Sequence, residues 1–168
     1  MIASSFVDFM VNEVIASPLL LKSLRPVLLG IFGVSCNRAT VSPRVFFGGS
    51  GVKIGARSFI NRGVFFDASA EIAIEDDVAV GMNAQLITGS HAIGDQYRRA
   101  GHQFAQPISI GRGVWIGAGA IILPGVKVGS GAVVAAGSVV IRDCAENCLY
   151  AGVPAAFVRD LETDNDAS

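Results

Sequence analysis

A strict period of six residues dominates the stretch from residue 110 to residue 140. An aliphatic side chain opens every step without slippage: Ile110, Ile116, Ile122, Val128, Val134 and Val140. A helix would place apolar residues about 3.6 apart, and a simple strand about 2 apart. A period of six instead predicts very short parallel strands, with the chain turning a corner at each step and stacking coil on coil. We expect the openers to point into the prism, and a small residue after an opener, such as Gly111 or Gly117, to let the backbone bend at the corner.

The same period begins earlier in the chain, where it is less regular. There is one extra residue near Gly48 and a longer step after Phe66, and the openers are Val41, Phe47, Ile54, Ile60, Phe66, Ile74, Val80 and Leu86. Three steps complete one triangular coil, so the two sets of openers predict roughly five coils. The predicted fold is therefore all-β, a parallel β-helix of hexapeptide repeats over residues 41–154.

Residues 1–40 are predicted to form a helical cap on the open end of the repeats. Apolar residues at helical spacing predict one helix over residues 5–16. A second helix is expected over residues 18–32, with Ser17 as its N-cap and Gly33 as its C-cap. Such helices would cover the strand edges and core that the end of a solenoid otherwise exposes.

The repeat pattern is interrupted once and fades near the C-terminus. Residues 91–107 have no opener at the sixfold spacing, are rich in polar groups and contain both histidines of the chain. We predict a loop excursion there, and loops of this length inside a compact repeat are usually functional. Residues 155–168 are predicted to form a short helix over 155–161, followed by a disordered acidic tail.

Composition narrows the classes of function. The chain is 51% hydrophobic and only 16% charged, so we expect another subunit to cover some apolar surface. A net charge of −1 and the absence of a basic run argue against nucleic acid as a partner. The odd number of cysteines and the lack of a secretory signal indicate a reducing compartment, which we take to be the cytoplasm. Cys144 and Cys148 have no other Cys or His near them in sequence, so no metal site is expected.

The apolar stretch over residues 18–33 first suggests a membrane segment. Lys22 and Arg25 interrupt it, Pro26 follows them, and the stretch is shorter than the roughly 20 residues that a span needs. We therefore do not expect it to cross a membrane. Association with a membrane surface as an amphipathic helix stays open but is not favoured.

His91 is the main candidate for chemistry. It closes the last step of six before the excursion, so it hangs from the edge of a rigid coil. A single histidine is most often just an exposed loop residue, but this position favours a general base that takes a proton from a hydroxyl or an amine. His102 lies in the middle of the excursion, where we expect it to pack against the loop or to face the substrate.

Residues 54–160 resemble the hexapeptide acyltransferases of the galactoside, maltose and nodulation-factor acetyltransferase type. The matching segments read ITGSH, PISIGRGVWIGAGAIILPGVKVG, VVAAGSVVIRD and YAGVPAAFVRDL. The resemblance implies a left-handed β-helix, His91 as the general base and acetyl-CoA as the acyl donor. It also implies a homotrimer with active sites between subunits.

The resemblance also implies residues that bind the acceptor. Asn61, in FINRG, corresponds to an asparagine that contacts the acceptor, although an asparagine inside a β-helix can instead form an internal side-chain ladder. Asp67, in FFDAS, resembles an aspartate that binds the acceptor sugar.

Further positions carry over to the acyl donor. Trp115, in VWIG, corresponds to a tryptophan beside the donor channel, although it could equally serve packing as the only tryptophan of the chain. Ala118 corresponds to a position whose backbone N–H faces the thioester, where such a donor would stabilise an oxyanion. Contacts to coenzyme A carry over to Ala136, Ile141, Arg142 and Arg159, and the two cations suit its phosphates.

The chain departs from this family in three places. Residues 1–40 are apolar and do not resemble the polar helical segment that contributes acceptor contacts in the sugar-modifying members. Gln103 occupies a loop position where the family often has a glutamate, which puts in doubt what orients His91. Ala156 falls on a further basic position of the family, so the nucleotide phosphate would be held less well or by another group.

The sequence therefore predicts an acetyl-CoA-dependent enzyme that acetylates a hydroxyl of a sugar or sugar-containing metabolite by direct attack. The alternatives are N-acylation of an amino sugar or antibiotic, and a β-helix scaffold without activity. A zinc lyase of the γ-carbonic-anhydrase kind fits poorly, because it needs three histidines for each metal. The acceptor, the length of the acyl chain and the choice between O- and N-transfer cannot be read from the chain.

Overall fold

The computed structural model describes residues 5–36 and 38–162, which form a triangular β-helix with one sheet on each face. Face 1 contains β1 (Ser35–Cys36), β4 (Val52–Ile54), β7 (Ile72–Ile74), β12 (Ile108–Ile110) and β15 (Lys127–Val128). Face 2 contains β2 (Thr40–Val41), β5 (Phe59–Ile60), β8 (Ala79–Val80), β13 (Trp115–Ile116), β16 (Val133–Val134), β18 (Cys148–Gly152) and β19 (Ala155–Asp160). Face 3 contains β3 (Phe46–Phe47), β6 (Phe65–Phe66), β9 (Gln85–Leu86), β14 (Ile121–Ile122) and β17 (Val139–Val140).

The openers predicted from the period of six form the core. Every one of them is buried, from Val41 to Val140. Within a face the openers stack on one another, as in the parallel pairs Ile74↔Ile110 and Ile110↔Val128. Aromatic openers stack in the same way, since the rings of Phe47 and Phe66 lie 5.2 Å apart. The prediction of a parallel β-helix is therefore confirmed down to the residues that fill it.

The predicted reason for the small residue after an opener is wrong. Gly111 does not have a positive φ, and a Cβ added there would lie 2.7 Å from the backbone nitrogen of Ser130 in the next coil. A Cβ at Gly81 would likewise lie 2.6 Å from the nitrogen of Ala118. These positions are small because neighbouring corners approach closely. The left-handed backbone that turns the corner comes two residues later, as at Gly113 with φ 68°.

The N-terminal cap contains fewer helical residues than predicted. Of the helix predicted over residues 5–16, residues 5–15 are helical, as α1 (Ser5–Phe9) followed by a π-helical segment (Met10–Ile15). The second helix, α2 (Arg25–Ile31), does not begin near Ser17. Pro26 explains the difference, because it fits the first turn of a helix but breaks the backbone hydrogen bonding of a helix interior.

The end of α2 agrees with the prediction. Gly33 has φ 88°, and the N–H of Val34 donates to the carbonyl of Leu29 at 3.1 Å. This is the Schellman arrangement that a glycine C-cap favours. Within the described residues no helix is both long enough and apolar enough to cross a membrane.

Arg25 fastens the cap to the first coil. Its side chain is only 1% exposed, and its guanidinium donates to the carbonyls of Ile15 at 2.9 Å and Val41 at 2.8 Å. Two more carbonyls, those of Ser17 and Leu20, accept from the same group. A buried cation is tolerated when its donors are satisfied in this way, so one residue links both helical segments of the cap to β2.

The excursion predicted as a loop is a β-hairpin. β10 (Gly89–Ile93) and β11 (Ala100–Ala105) pair in antiparallel register. The N–H of Gln106 donates to the carbonyl of Thr88 at 2.9 Å and closes the base. A long segment must satisfy its own backbone groups, and pairing the two arms does so while giving the hairpin a fixed direction.

The short C-terminal helix predicted over residues 155–161 is also wrong. The segment is instead β19, which pairs antiparallel with β18 through Leu149↔Arg159 and Cys148↔Asp160. The last coil leaves an open edge on face 2, and an unpaired edge is stabilised when another strand adds to it. That tertiary demand outweighs the local helical pattern. Of the acidic tail predicted after Leu161, residues 163–168 lie outside the described part of the chain.

Candidate active site

Two edges of the triangular β-helix carry the predicted site residues. The 2–3 edge is the corner that follows face 2, and its residues Asn61, Gly81, Gly117 and Ala135 stack through bonds such as Gly81 N–H to Ile116 O at 2.8 Å. The 3–1 edge is the corner that follows face 3, where Asp67, Ile87, Leu123 and Ile141 stack in the same way. The hairpin leaves the body at the 3–1 edge, directly after Thr88.

Ala118 and Ala136 lie one above the other on the 2–3 edge. The carbonyl of Ala118 accepts a bond of 2.9 Å from the N–H of Gly137. The N–H groups of Ala118 and Ala136 donate to no acceptor within residues 5–36 and 38–162. Two neighbouring backbone donors are therefore available to an anionic or carbonyl oxygen of a ligand.

Trp115 lies on β13, just before the 2–3 edge. It pairs with Ala79 on one side and Val133 on the other, so small side chains flank the large ring. The side chain is 58% exposed. An exposed tryptophan on a rigid strand is not a core residue, and this placement favours contact with a ligand or another subunit over packing.

His91 lies on β10 with its ring held by the other arm of the hairpin. Its Nδ1 is 3.1 Å from the carbonyl oxygen of Gly101. A carbonyl can only accept, so Nδ1 carries the proton in the neutral ring and Nε2 keeps a free lone pair. The imidazole is exposed at the surface. This geometry leaves Nε2 able to accept a proton, with the tautomer fixed by a backbone group.

Gln103 lies directly opposite His91 across the hairpin. Because this position is not a glutamate, another group must orient the histidine. The Gly101 carbonyl does so through its hydrogen bond to His91. No side-chain motif could have revealed it, because the acceptor is a main-chain carbonyl. His102, on the same strand, is exposed and makes no side-chain hydrogen bond within the described residues.

Asp67 fastens the base of the hairpin. Its Oδ2 accepts from Thr88 Oγ1 and from Gly89 N–H, both at 2.7 Å. Burial raises the pKa of this carboxyl, but hydrogen bonds from Thr88, Gly89 and Ser69 outweigh burial, and the pKa lies below its usual value. The buried partner Thr88 escaped the sequence analysis, since a threonine before a loop carries no signal by itself.

The structure separates residues that the sequence analysis grouped together. Asn61 lies on the 2–3 edge, where its Oδ1 accepts from the N–H of Arg62 at 2.7 Å, so it does not stand in an internal ladder. Asp67 lies on the 3–1 edge. The residues assigned to coenzyme A divide in the same way, with Trp115, Ala118 and Ala136 at the 2–3 edge and Ile141 and Arg142 at the 3–1 edge. The predicted site residues of one chain therefore lie at two separate edges, which we call the two half-sites.

Two cations complete the inventory. Arg142 is exposed and forms no ion pair among the described residues. Arg159 lies on β19, opposite Leu149, and its Nη1 donates to the carbonyl of Asp160 at 3.3 Å. No group of three or more His, Cys, Asp and Glu side chains in the described part of the chain is placed to hold a metal ion.

Comparison with known proteins agrees with this fold. Residues 107–142 match the family described as bacterial transferase hexapeptide (six repeats). The chain is 33% identical to galactoside O-acetyltransferase of Escherichia coli over 132 residues, which are 78% of this chain and 65% of that protein. This chain belongs to the hexapeptide-repeat acetyltransferase family. The resemblance predicted from the sequence is therefore confirmed.

Solved structures of this family are close to the present one. A hexapeptide-repeat acetyltransferase from Vibrio cholerae, solved in complex with acetyl coenzyme A, is 33% identical with a TM-score of 0.80 over 94% of this chain and 85% of that chain. A galactoside acetyltransferase in complex with coenzyme A is 30% identical with a TM-score of 0.83 over 96% and 80%. The predicted left-handed parallel β-helix is confirmed. The chain spans 59% to 65% of the length of the first three curated relatives it matches.

Proposed function

We propose that this protein is an acetyl-CoA-dependent acetyltransferase that modifies a hydroxyl of a sugar or sugar-containing metabolite. The observation that carries the proposal is the geometry of His91. The Gly101 carbonyl holds Nδ1 at 3.1 Å, which leaves Nε2 as the proton acceptor at the edge of a rigid hairpin. A β-helix that served only as a scaffold would have no need of such a fixed base.

The reaction needs no covalent enzyme intermediate. His91 Nε2 takes the proton of the acceptor hydroxyl as the oxygen attacks the thioester carbonyl. The oxyanion of the tetrahedral intermediate accepts a hydrogen bond from the Ala118 N–H. Collapse of this intermediate then breaks the C–S bond. The imidazolium then returns the proton to the departing thiolate of coenzyme A, so the atoms and charges balance.

The cysteines support direct attack. Cys144 and Cys148 are buried, and burial raises the pKa of the Cys144 thiol to about 11. Burial also raises the pKa of Cys36 to about 12. A thiol with a raised pKa is a poor nucleophile near neutral pH. All three are free thiols, which suits a reducing compartment such as the cytoplasm.

The acyl donor would lie along the 2–3 edge. The free N–H groups of Ala118 and Ala136 and the exposed ring of Trp115 form one wall for acetyl-CoA. Ile141 offers exposed apolar surface on the other edge. Arg142 and Arg159, which form no ion pair within residues 5–36 and 38–162, offer cations for the phosphates.

A homotrimer would bring the two half-sites together. The 3–1 edge of one copy, which carries His91, would face the 2–3 edge of the next, which carries Ala118. A contact between two different patches of the same chain closes into a ring when the rotation allows it. Three triangular prisms placed edge to edge satisfy this condition, and the contact would also cover Trp115.

The acceptor would be bound at the same junction. Asn61 would contact it from the 2–3 edge, and Asp67 from the 3–1 edge. The lowered pKa of Asp67 keeps its carboxylate ionised and able to accept from sugar hydroxyls. Since five donors already bind this carboxylate, its larger contribution is to hold the hairpin and thereby His91.

An assay of coenzyme A release from acetyl-CoA against a panel of sugars, glycolipid precursors and amino sugars tests the proposal. The variant His91→Ala should lose about 10²–10⁴-fold in kcat, the usual contribution of a general base, while its affinity for acetyl-CoA in calorimetry stays unchanged. His102→Ala, on the same hairpin, is the matched control and should keep its turnover. Wild-type turnover by His91→Ala would refute the assignment.

A further inference from the structure

The N-terminal cap exposes a large apolar surface at one end of the β-helix. Leu19 is 93% exposed, Ile31 71% and Val27 66%. Together with Leu21 and Leu24, which are also exposed, these residues define the cap surface. Single exposed apolar residues are ordinary, but a cluster of this size in a short segment indicates an interaction site.

In α2, the residues of the cap surface are not the ones that pack against the body of the protein. Arg25 and Leu29 are both 1% exposed and pack against the body of the protein. Val27 and Ile31 lie four residues apart, and Leu24 precedes Val27 by three, so the three share another side of the helix. A helix that only capped the solenoid would carry polar residues on that side.

The segment that carries the cap surface has only positively charged side chains, and the acidic residue that precedes it, Glu13, lines a cavity together with Pro18 and Arg44. No Asp or Glu occurs between Glu13 and Asp67. Of the basic residues in that interval, Lys53 and Arg57 pair with acidic side chains of the next coil. Four exposed cations make no ion pair within the described residues: Lys22, Arg38, Arg44 and Arg62.

Two of these cations meet apolar surface directly. Lys22 and Arg38 line a cavity of about 420 Å³ between α2 and the first coil, together with Pro26 and Val27. The cavity therefore joins a positively charged rim to the apolar cap surface. Such a combination suits an anionic headgroup beside hydrocarbon.

We propose that the cap surface docks on the surface of an anionic phospholipid bilayer. Leu19, Val27 and Ile31 would enter the boundary between headgroups and acyl chains, while Lys22 and Arg38 would contact lipid phosphates. The cap lies at one end of the prism, whereas the two half-sites run along its sides. Docking therefore leaves both edges open and does not depend on the acyl-transfer reaction.

A second copy of the chain is a poorer occupant of the same surface. Two cap surfaces placed face to face would bring Lys22 and Arg38 of one copy toward those of the other, and like charges at close range repel. A bilayer that contains anionic lipid instead supplies the opposite charge over the whole patch. Charge complementarity thus selects the lipid surface.

Vesicle flotation of the full chain tests the proposal. The probes are vesicles of phosphatidylcholine with about one third phosphatidylglycerol, and vesicles of phosphatidylcholine alone. The protein should float with the anionic vesicles, bind the neutral ones about tenfold more weakly, and detach as salt is raised from about 0.05 to 0.5 M.

Variants at exposed positions identify the surface. The combined change Leu19→Ser, Leu21→Ser, Val27→Ser and Ile31→Ser should weaken binding to anionic vesicles by about tenfold or more. Lys22→Glu with Arg38→Glu should abolish the preference for anionic lipid. Two controls should bind like the wild type: Ile93→Ser with Val153→Ser, which also alter exposed apolar residues, and Arg98→Glu with Arg99→Glu, which make the same change in charge on the hairpin.

Several results would overturn the proposal. The wild type could fail to float with anionic vesicles, or the fourfold variant could bind as well as the wild type. The fourfold variant could lower the oligomer mass in light scattering while vesicle binding persists, which would make the surface a contact between copies. Leu19→Glu provides a second variant should the fourfold change impair folding, since this side chain is 93% exposed.

Discussion

The coils before the hairpin and the coils after it build the same corner in different ways. After the hairpin, a glycine takes the left-handed position at five successive corners, and Asn147 takes it only at the last one: the glycines are Gly113, Gly119, Gly125, Gly131 and Gly137, with φ between 65° and 83°. Before the hairpin, that position holds Arg44, Arg57, Asp77 and Asn83 as well as Gly63. The early coils therefore accept local backbone strain and gain side chains at their corners.

Side chains next to the left-handed position cap backbone donors at two of the early corners. Ala56 and Arg62 each stand just before a left-handed residue. The N–H of Ala56 donates to Asp76 Oδ1 at 2.8 Å, and the N–H of Arg62 donates to Asn61 Oδ1 at 2.7 Å. At the equivalent position of the later coils, Ala118 and Ala136 have no such cap among the described residues. Arg112, at the same position of another later coil, has its N–H capped by Glu75 Oε2 at 2.9 Å, so the free donors are a property of the Ala118 and Ala136 corners and not of every later corner.

The largest expected effect on stability comes from a glycine at which the backbones of two neighbouring coils approach each other closely. Gly117→Ala would place a Cβ against the backbone of Ala135 and Ala136, and we expect a loss of about 3 kcal/mol in the free energy of unfolding. Chemical denaturation measures it. Gly30→Ala, in α2 with open space around it, is the control and should be neutral or slightly stabilising. Equal stability of Gly117→Ala and the wild type would mean that the corners do not approach as described.

In the coils before the hairpin, we expect a second effect on stability that depends on pH. Asp67→Asn should cost about 1–3 kcal/mol at pH 7, because Thr88 and Gly89 lose a charged acceptor. The pKa of Asp67 is lowered in the folded state, so its contribution is present above its unfolded value near 3.9 and is lost as the pH falls through the lower folded value.

Urea unfolding of the wild type and Asp67→Asn at several pH values checks this sign. The difference between the two proteins should shrink as the medium is acidified. At pH 7 the variant should also lose kcat while keeping its affinity for acetyl-CoA, since the hairpin rather than the donor wall is disturbed. A difference that grows toward low pH would contradict the assignment.

The smallest expected effect isolates the left-handed backbone. A Cβ at Gly113 meets open space, but its φ is 68°. Gly113→Ala should therefore cost only about 1–2 kcal/mol, the strain of a left-handed alanine. Gly113→Asn should cost less, because asparagine tolerates this region, as Asn83 does at the same corner position in an earlier coil. Thermal unfolding of the two variants ranks them, and the reverse order would break the comparison between the halves.

Much of the solenoid could be predicted because its signal is local and repeated. The period of six fixed which residues face the core, and each opener from Val41 to Val140 is buried. The start of α2 was missed because the helical pattern over residues 18–32 outweighed the constraint of Pro26. The strand at Ala155–Asp160 was missed because its cause is an open sheet edge, which sequence does not display.

The candidate site was less predictable than the fold. Sequence motifs indicated His91 and Ala118 individually, but no motif indicated that the two residues lie on different edges of the prism. That separation follows from the three-step coil, in which residues a few positions apart belong to different faces. The Gly101 carbonyl that fixes the tautomer of His91 is a backbone group, so it has no signature in the sequence.

The most direct test of the central claim removes one backbone donor. Pro43 and Pro124 already occupy the corner position equivalent to Ala118, so Ala118→Pro should fold while losing the free N–H. We expect a loss of about 10²–10³-fold in kcat, with turnover retained by Ala118→Gly, which keeps the donor. Ser130→Pro makes the same change at a corner outside the proposed site and should leave kcat unchanged. Turnover of Ala118→Pro at the wild-type rate would contradict the claim that the Ala118 N–H holds the oxyanion.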